Sequence, residues 1–264
     1  MHVAYTIAFD SPGTGGHRLL AKMLAMSLLR TRFDGEIIIF RNSPAPIFQI
    51  GREGIIEKYV PTRSQGGLQM RDEAWCWKYR VAPEVAARCA ETGAERVLFL
   101  DADILCLRNA DHLLDGDWDI AYSTEERPIT GPCWSAYLSR GEMRCLKHKA
   151  INSGAMALKA EHYQRTMAEW SRIHASPPVQ SKDFLEQAAW NRVILDTPLR
   201  ARSFERDAVM YPLNEDYDYR IYREATFLHC LGGDLRMKVQ FMFGLYMSTF
   251  FLDEPGTMLS LLEM

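Results

Sequence analysis

The 264-residue chain has no CxxC pair, no excess of charge of either sign, no internal repeat and no low-complexity tract. Each absence excludes something. Its six cysteines (Cys76, Cys89, Cys106, Cys133, Cys145 and Cys230) carry no zinc-ribbon or thioredoxin spacing. Several lie inside apolar segments, so they read as reduced thiols of a cytoplasmic protein rather than a disulfide framework. Net charge is −3, with Lys and Arg scattered rather than striped, which argues against a nucleic-acid partner. No charged n-region precedes an apolar h-region, so no signal peptide is expected. The longest uncharged apolar stretch, 239–252, is too short to span a bilayer and lacks basic residues on a polar face. It reads as a core helix, with peripheral membrane contact as the alternative.

What is present is alternation. With 47% hydrophobic residues, the chain can bury one large α/β domain. Strand-like runs fall at 3–8, 36–40, 55–60, 96–100, 119–122, 151–158 and 225–228. Helical periodicity falls at 18–32, 73–90, 161–174 and 183–195. This βαβ pattern predicts a mostly parallel sheet flanked by helices. The stretch 123–149, with Pro128, Pro132, Trp134 and Tyr137, shows no period and reads as a binding loop.

Val97-Leu98-Phe99-Leu100-Asp101-Ala102-Asp103 is the most informative segment. Four apolar residues predict a strand buried on both faces, ending in two carboxylates. In an extended chain, Asp101 and Asp103 point the same way. Their mutual repulsion is relieved by a divalent cation, and Mg²⁺ or Mn²⁺ held there would neutralise a diphosphate. The plainer reading is a turn cap. Three more short motifs follow: Asn152-Ser153-Gly154, Glu186-Gln187 with Asn191, and His229 with Gly232-Gly233. Asp183-Phe184-Leu185-Glu186 also fits a capping box, which leaves two roles open for Glu186.

VLFLDADILCLRN (97–109), INSGAMAL (151–158), FLEQAAWN (184–191) and FLHCLGG (227–233) together resemble nucleotide-sugar-dependent glycosyltransferases of the GT-A fold. The pattern is most similar to the retaining family 8, the glycogenin and lipopolysaccharide galactosyltransferase group. The resemblance implies one Rossmann-like domain over 1–264, with a nucleotide-binding half at 1–108 and an acceptor- and sugar-binding half at 109–264. It implies a hexosyltransferase that uses Mn²⁺ (or Mg²⁺) and a nucleoside-diphosphate sugar, with UDP as the nucleotide. The acceptor would be a saccharide, glycan, lipid-linked or protein hydroxyl.

Residue by residue, Asp103, Asp101 and His229 resemble the metal ligands, and Asp101 also reaches the donor ribose. Ala102 lies between them at the donor. Asn152, Ser153 and Gln187 resemble partners of the donor sugar, and Glu186 or Gln187 would lie near the anomeric centre. Gly232 would let backbone approach the diphosphate. The family's lysine after the histidine-loop glycine has no match in register, so Arg236 or Lys238 is expected to supply that charge. Ala8, Phe9 and Asp10, after the first strand, fall where this fold holds base and ribose. Arg71 and Lys78 could reach the diphosphate or base, or could simply face solvent.

Three other readings stay open. A haloacid-dehalogenase-type phosphatase also has four apolar residues before Asp-x-Asp, which would make Asp101 a nucleophile, but that motif belongs on the first strand. A sugar nucleotidyltransferase is suggested weakly by Gly-Thr-Gly-Gly-His-Arg at 13–18. The fold could also serve as a binding module without catalysis.

Overall fold

The structure, a computed structural model, describes residues 1–10, 15–62, 67–125, 129, 131–146, 149–176, 185–205, 208–212, 222, 224–231 and 234–250, with backbone alone at 67–72 and 185. Its strands are β1 (His2–Ala8), β2 (Gly35–Arg41), β3 (Ile55–Tyr59), β4 (Arg96–Leu100), β5 (Ile104–Cys106), β6 (Ile120–Glu125), β7 (Ala150–Lys159), β8 (Ala201–Ser203), β9 (Val209–Met210) and β10 (Phe227–His229). Its helices are α1 (Gly16–Arg30), α2 (Gly67–Arg80), α3 (Ala82–Thr92), α4 (Asp111–Leu114), α5 (Pro132–Ser135), α6 (Arg140–Cys145), α7 (Ala160–His174), α8 (Leu185–Asp196) and α9 (Leu235–Phe250).

Seven strands form a mostly parallel sheet in the order β3-β2-β1-β4-β7-β6-β8, and β5, β10 and β9 form a second, three-stranded sheet. β2 pairs parallel with β3 and β6 parallel with β8, whereas β6 and β7 are antiparallel. The mixed α/β architecture matches the sequence expectation.

The chain divides into two compact units. The first comprises Met1–Val3, Arg63–Phe99 and Gly116–Phe204. Its strand β7 is buried from Ala150 to Leu158, because helices α7 and α8 cover it. Trp170 and Trp190 pack with ring centroids 4.8 Å apart and ring planes tilted by 43°, and both are fully buried. The expected single helix over 73–90 is two helices. Pro83 enters the first turn of α3, where it lacks an amide hydrogen and its ring excludes a continuous helix, so the chain restarts at Val81. Gly93, at φ 67°, ends α3 in the left-handed region that favours glycine.

The stretch 123–149 is also more structured than its lack of period suggests. β6 continues to Glu125, and α6 starts with a reciprocal cap in which Ser139 Oγ accepts from the Glu142 amide and Glu142 Oε2 accepts from the Ser139 amide. Ile129, Cys133, Trp134 and Leu138 pack with Ala150 and Ala188 in a small core of their own.

The second unit comprises Ala4–Thr62, Leu100–Asp115 and Glu205–Met264. Helix α1 packs on α9 through an apolar face, and Met242, Leu245 and Tyr246 of α9 are buried. The 239–252 stretch is therefore helical as far as Phe250, with Met242, Leu245 and Tyr246 buried and Phe243 exposed. Among the described residues, no helix is long and apolar enough to cross a membrane.

Candidate metal centre

The second unit brings Asp101, Asp103 and His229 together. The route is a backbone register. β10 pairs antiparallel with β5, placing Phe227 opposite Cys106, Leu228 opposite Leu105 and His229 opposite Ile104. The ladder continues one step further, where the Cys230 amide donates to the Asp103 carbonyl at 2.9 Å. At its other end the Leu107 amide donates to the Thr226 carbonyl at 2.8 Å. Main-chain bonds thus place His229 beside Asp103.

The aspartates do not lie on an extended strand, as the i, i+2 argument assumed. They flank a turn in which the Asp101 carbonyl accepts from the Ile104 amide at 3.1 Å. The turn nevertheless converges them. His229 Nε2 lies 3.3 Å from Asp103 Oδ1 and 3.8 Å from Asp101 Oδ2, and one ligand atom of each residue falls within 4.8 Å of the others. His229 is 2% exposed, Asp103 14% and Asp101 27%, so the set opens to solvent on its carboxylate side.

Lys238, on the first turns of α9, reaches the same carboxylate, its ammonium contacting Asp103 Oδ2. Burial alone would raise the Asp103 carboxyl, but His229 and Lys238 outweigh it and hold the group well below the usual carboxylate range. Burial opposes the charge on Lys238, and Asp103 more than compensates, so its ammonium is held above the ordinary range. Cys230 is pushed up by burial and by the Asp103 charge, so it behaves as a neutral thiol.

Two carboxylates and one imidazole form a hard-to-borderline donor set, with a lysine already answering their negative charge. His229 presents Nε2 to the carboxylates. Its Nδ1 is buried with no hydrogen-bond partner among the described residues, and the Tyr211 ring lies 5.5 Å away. These residues fit a divalent cation.

The remaining expected donor residues of this unit divide. Ala8 and Phe9 are buried at the end of β1. Asp10 Oδ1 accepts from the His17 amide at 2.9 Å in the first turn of α1, and its Oδ2 is buried with no partner among the described residues. Asn42 holds the Asp10 backbone from both sides, accepting its amide and donating to its carbonyl. Arg236 is exposed. Gly232 and Gly233 lie outside the described residues, as does Asp183.

The first unit gathers the other predicted residues into two buried clusters. Lys78 does not face solvent. It is 5% exposed and donates to Ser153 Oγ at 3.2 Å and Glu186 Oε1 at 3.3 Å, 5.3 Å from the Phe99 ring centroid. Ser153 also donates to Glu186 Oε1. That oxygen of Glu186 is thus engaged by strand and helix partners, and its Oε2 is buried with no partner among the described residues. The side chain of Arg71 is outside the described set.

The second cluster holds a residue that motif reading missed. Glu125, at the end of β6, accepts from Gln187 Nε2 at 2.7 Å and from Asn152 Nδ2 at 3.1 Å. Asn152 Oδ1 accepts from the Gly154 amide at 2.7 Å. Its donor and acceptor ends are therefore both used inside the protein. Asn191 belongs to the scaffold. It exchanges two bonds with the Ile151 backbone and donates to the Gln187 carbonyl, tying α8 to β7. The available signal for Glu125 was the alternation 120–125, which puts it on one face with Ser123 and Ala121.

No protein-family model and no curated protein matches the chain. Among solved structures, it is similar to the WbbM bifunctional glycosyltransferase, with a TM-score of 0.57 and 10% identity over 92% of this chain and 49% of that one. It is also similar to a glycosyltransferase involved in the glycosylation of the major capsid of PBCV-1, with a TM-score of 0.56 and 11% identity over 92% and 98% of the two chains. The chain spans about half the length of the first of these. At such identities the likeness is one of fold.

Proposed function

We propose that the protein is a metal-dependent glycosyltransferase that moves a sugar from a nucleoside-diphosphate donor, UDP as the nucleotide, to an acceptor hydroxyl with retention at the anomeric carbon. The observation that carries this reading is the convergence of Asp101, Asp103 and His229, delivered by a backbone register, in a fold that glycosyltransferases share.

Asp101, Asp103 and His229 would hold Mn²⁺ or Mg²⁺. The cation would supply charge neutralisation for the diphosphate as it leaves. The chain's own contribution is positional and electrostatic. Lys238 brings a cation to the same carboxylates and, with Arg236 near it in sequence, is the candidate for answering leaving-group charge. Ala8, Phe9 and Asp10 are assigned to base and ribose, and Ala102 and Gly232 to backbone contacts with the donor. Asn152, Ser153, Gln187 and Lys78 are assigned to sugar recognition, and Glu186 and Gln187 to the surroundings of the anomeric carbon.

The test is a thermal-shift and calorimetric screen of nucleoside diphosphates and nucleotide sugars, with and without Mn²⁺, on the wild type and Asp103→Ala. A Mn²⁺-dependent stabilisation by uridine diphosphates that disappears in Asp103→Ala is the expected result. Binding of no nucleotide with Mn²⁺ present, or a covalent phosphate on Asp101 after incubation with a phosphomonoester, overturns the proposal.

A further inference from the structure

The first unit contains a second chemically distinct cluster, made of Cys76 and Tyr79 on α2 and His174 at the end of α7. The Tyr79 hydroxyl donates to Cys76 Sγ at 2.8 Å, and His174 Nδ1 lies 2.8 Å from the same oxygen. Direct separation of sulfur from imidazole is 3.9 Å. The three groups form a chain, thiol to phenol to imidazole. Cys76 and His174 at its ends are half-buried, while Tyr79 in the middle is buried. The phenol is clamped, its ring edge-on to Trp170 at 5.6 Å and to His174 at 5.9 Å. The Tyr137 hydroxyl donates to the His174 carbonyl at 3.2 Å and fixes the end of α7.

The other five cysteines sit in different surroundings. Cys89, Cys106, Cys133 and Cys230 are buried, and burial pushes the Cys89 thiol up to about 11 and the Cys106 thiol up to about 12. Cys145 is exposed. Burial also keeps Tyr79 protonated, its hydroxyl raised above the ordinary phenol range, so it gives up one proton only as it takes another. Among the described residues, the charged and titratable groups around the chain include Arg80 on α2, Glu186 on α8 with its partner Lys78, Tyr137, and Cys133 on α5.

From this geometry we infer that Cys76 is a nucleophilic thiol, activated by proton relay through Tyr79 to His174, and that it is the chain's site of modification by soft carbon electrophiles. The step balances. The Cys76 proton passes to the Tyr79 oxygen as the Tyr79 proton passes to His174 Nδ1. The thiolate then accepts the Tyr79 hydrogen bond, as the donor direction in the structure has it. The sulfur lone pair forms a bond to the electrophilic carbon, and the leaving group departs with its bonding electrons. This inference does not depend on the glycosyl-transfer reading, because none of the three residues belongs to the metal centre or the donor set.

The test is limited carbamidomethylation of the full chain by iodoacetamide at pH 6.5 and pH 8.5, read by peptide mass spectrometry, with Cys145 as internal reference. At pH 6.5, Cys76 is expected to react about tenfold faster than exposed Cys145, with the ratio shrinking at pH 8.5 as ordinary thiols ionise. Tyr79→Phe should bring the pH 6.5 ratio to one or below without changing the Cys145 rate. If Tyr79→Phe does not fold, His174→Gln breaks the same relay from its far end. A wild-type ratio of one or less at pH 6.5, or a higher ratio that breaking the relay leaves unchanged, overturns the inference.

Discussion

His229 Nε2 lies 3.3 Å from Asp103 Oδ1, although one residue sits in a turn after β4 and the other ends a strand late in the chain. The antiparallel pairing of β5 with β10 makes this contact a consequence of main-chain register. Removing the imidazole should therefore leave the scaffold standing while removing a ligand. His229→Ala is expected to weaken Mn²⁺ binding by roughly a hundredfold, at or beyond the upper end of what loss of a ligand's outer partner causes. Calorimetric titration of Mn²⁺ checks it. Unchanged affinity in a folded His229→Ala protein would remove that residue from the ligand set.

Lys78 and Glu186 form a buried ion pair, both nearly inaccessible to solvent. Lys78→Met should destabilise the protein by about 3–5 kcal/mol, because it leaves the Glu186 charge buried without its cation. The double variant Lys78→Met, Glu186→Met should recover most of that loss in urea unfolding. If the double variant is no more stable than Lys78→Met, the pair is not the source of the effect.

Glu125 binds the amide nitrogens of both Asn152 and Gln187. Glu125→Gln keeps the shape but turns one acceptor into a donor that faces another donor. A loss of about 1–3 kcal/mol is expected from the unsatisfied buried group. If Gln187 orients the donor sugar, turnover should fall as well, whereas a purely structural role would lower stability alone. Urea unfolding and donor hydrolysis, measured on the same sample, separate the two outcomes.

Asp119 is bonded by the Arg200 side chain and backbone and by Lys159, and these hold its carboxyl well below the ordinary range. The folded form therefore keeps this charge to lower pH than the unfolded chain does. The stabilisation is complete above the ordinary aspartate range, near pH 4, and is lost as pH falls through that range toward the folded value. Asp119→Asn should flatten the decline in melting temperature between pH 5 and pH 3. An unchanged acid slope would show that other carboxylates set it.

The sequence revealed the mixed α/β architecture because period and length were clear. The 96–100 strand emerges with the expected bounds, and all five of its residues are buried. The 161–174 helix gains only Ala160. The break at Val81 was harder to see, because the apolar spacing runs across it and only Pro83 marks the restart. The small helices between 132 and 145 have too few turns to show a period, although Ser139 and Glu142 stand at capping-box spacing. Of the three-stranded sheet, β10 was legible as the run at 225–228, whereas β5, β9 and the pairing itself were hidden. β5 and β10 have three residues each and β9 has two, and their pairing is set by partners distant in sequence. At the candidate site, Asp101, Asp103 and His229 were legible by residue type and order. The Lys78–Glu186 pair and the role of Glu125 were not, because a charged residue on a helix or at a strand end normally reads as solvated.

The ladder that holds the triad is pinned at both ends, by the Leu107–Thr226 bond on one side and the Cys230–Asp103 bond on the other. Seen from these few bonds, everything between Leu107 and Thr226 is a single excursion that leaves and returns at fixed points. Apart from β9, which pairs with β10, and the strands that belong to the larger sheet, the loops of that excursion could gain or lose residues, and a chain that rejoined β5 in the same register would still deliver the imidazole to the carboxylates. The Asp101–Asp103–His229 set and the loops of the excursion would then be free to diversify at different rates.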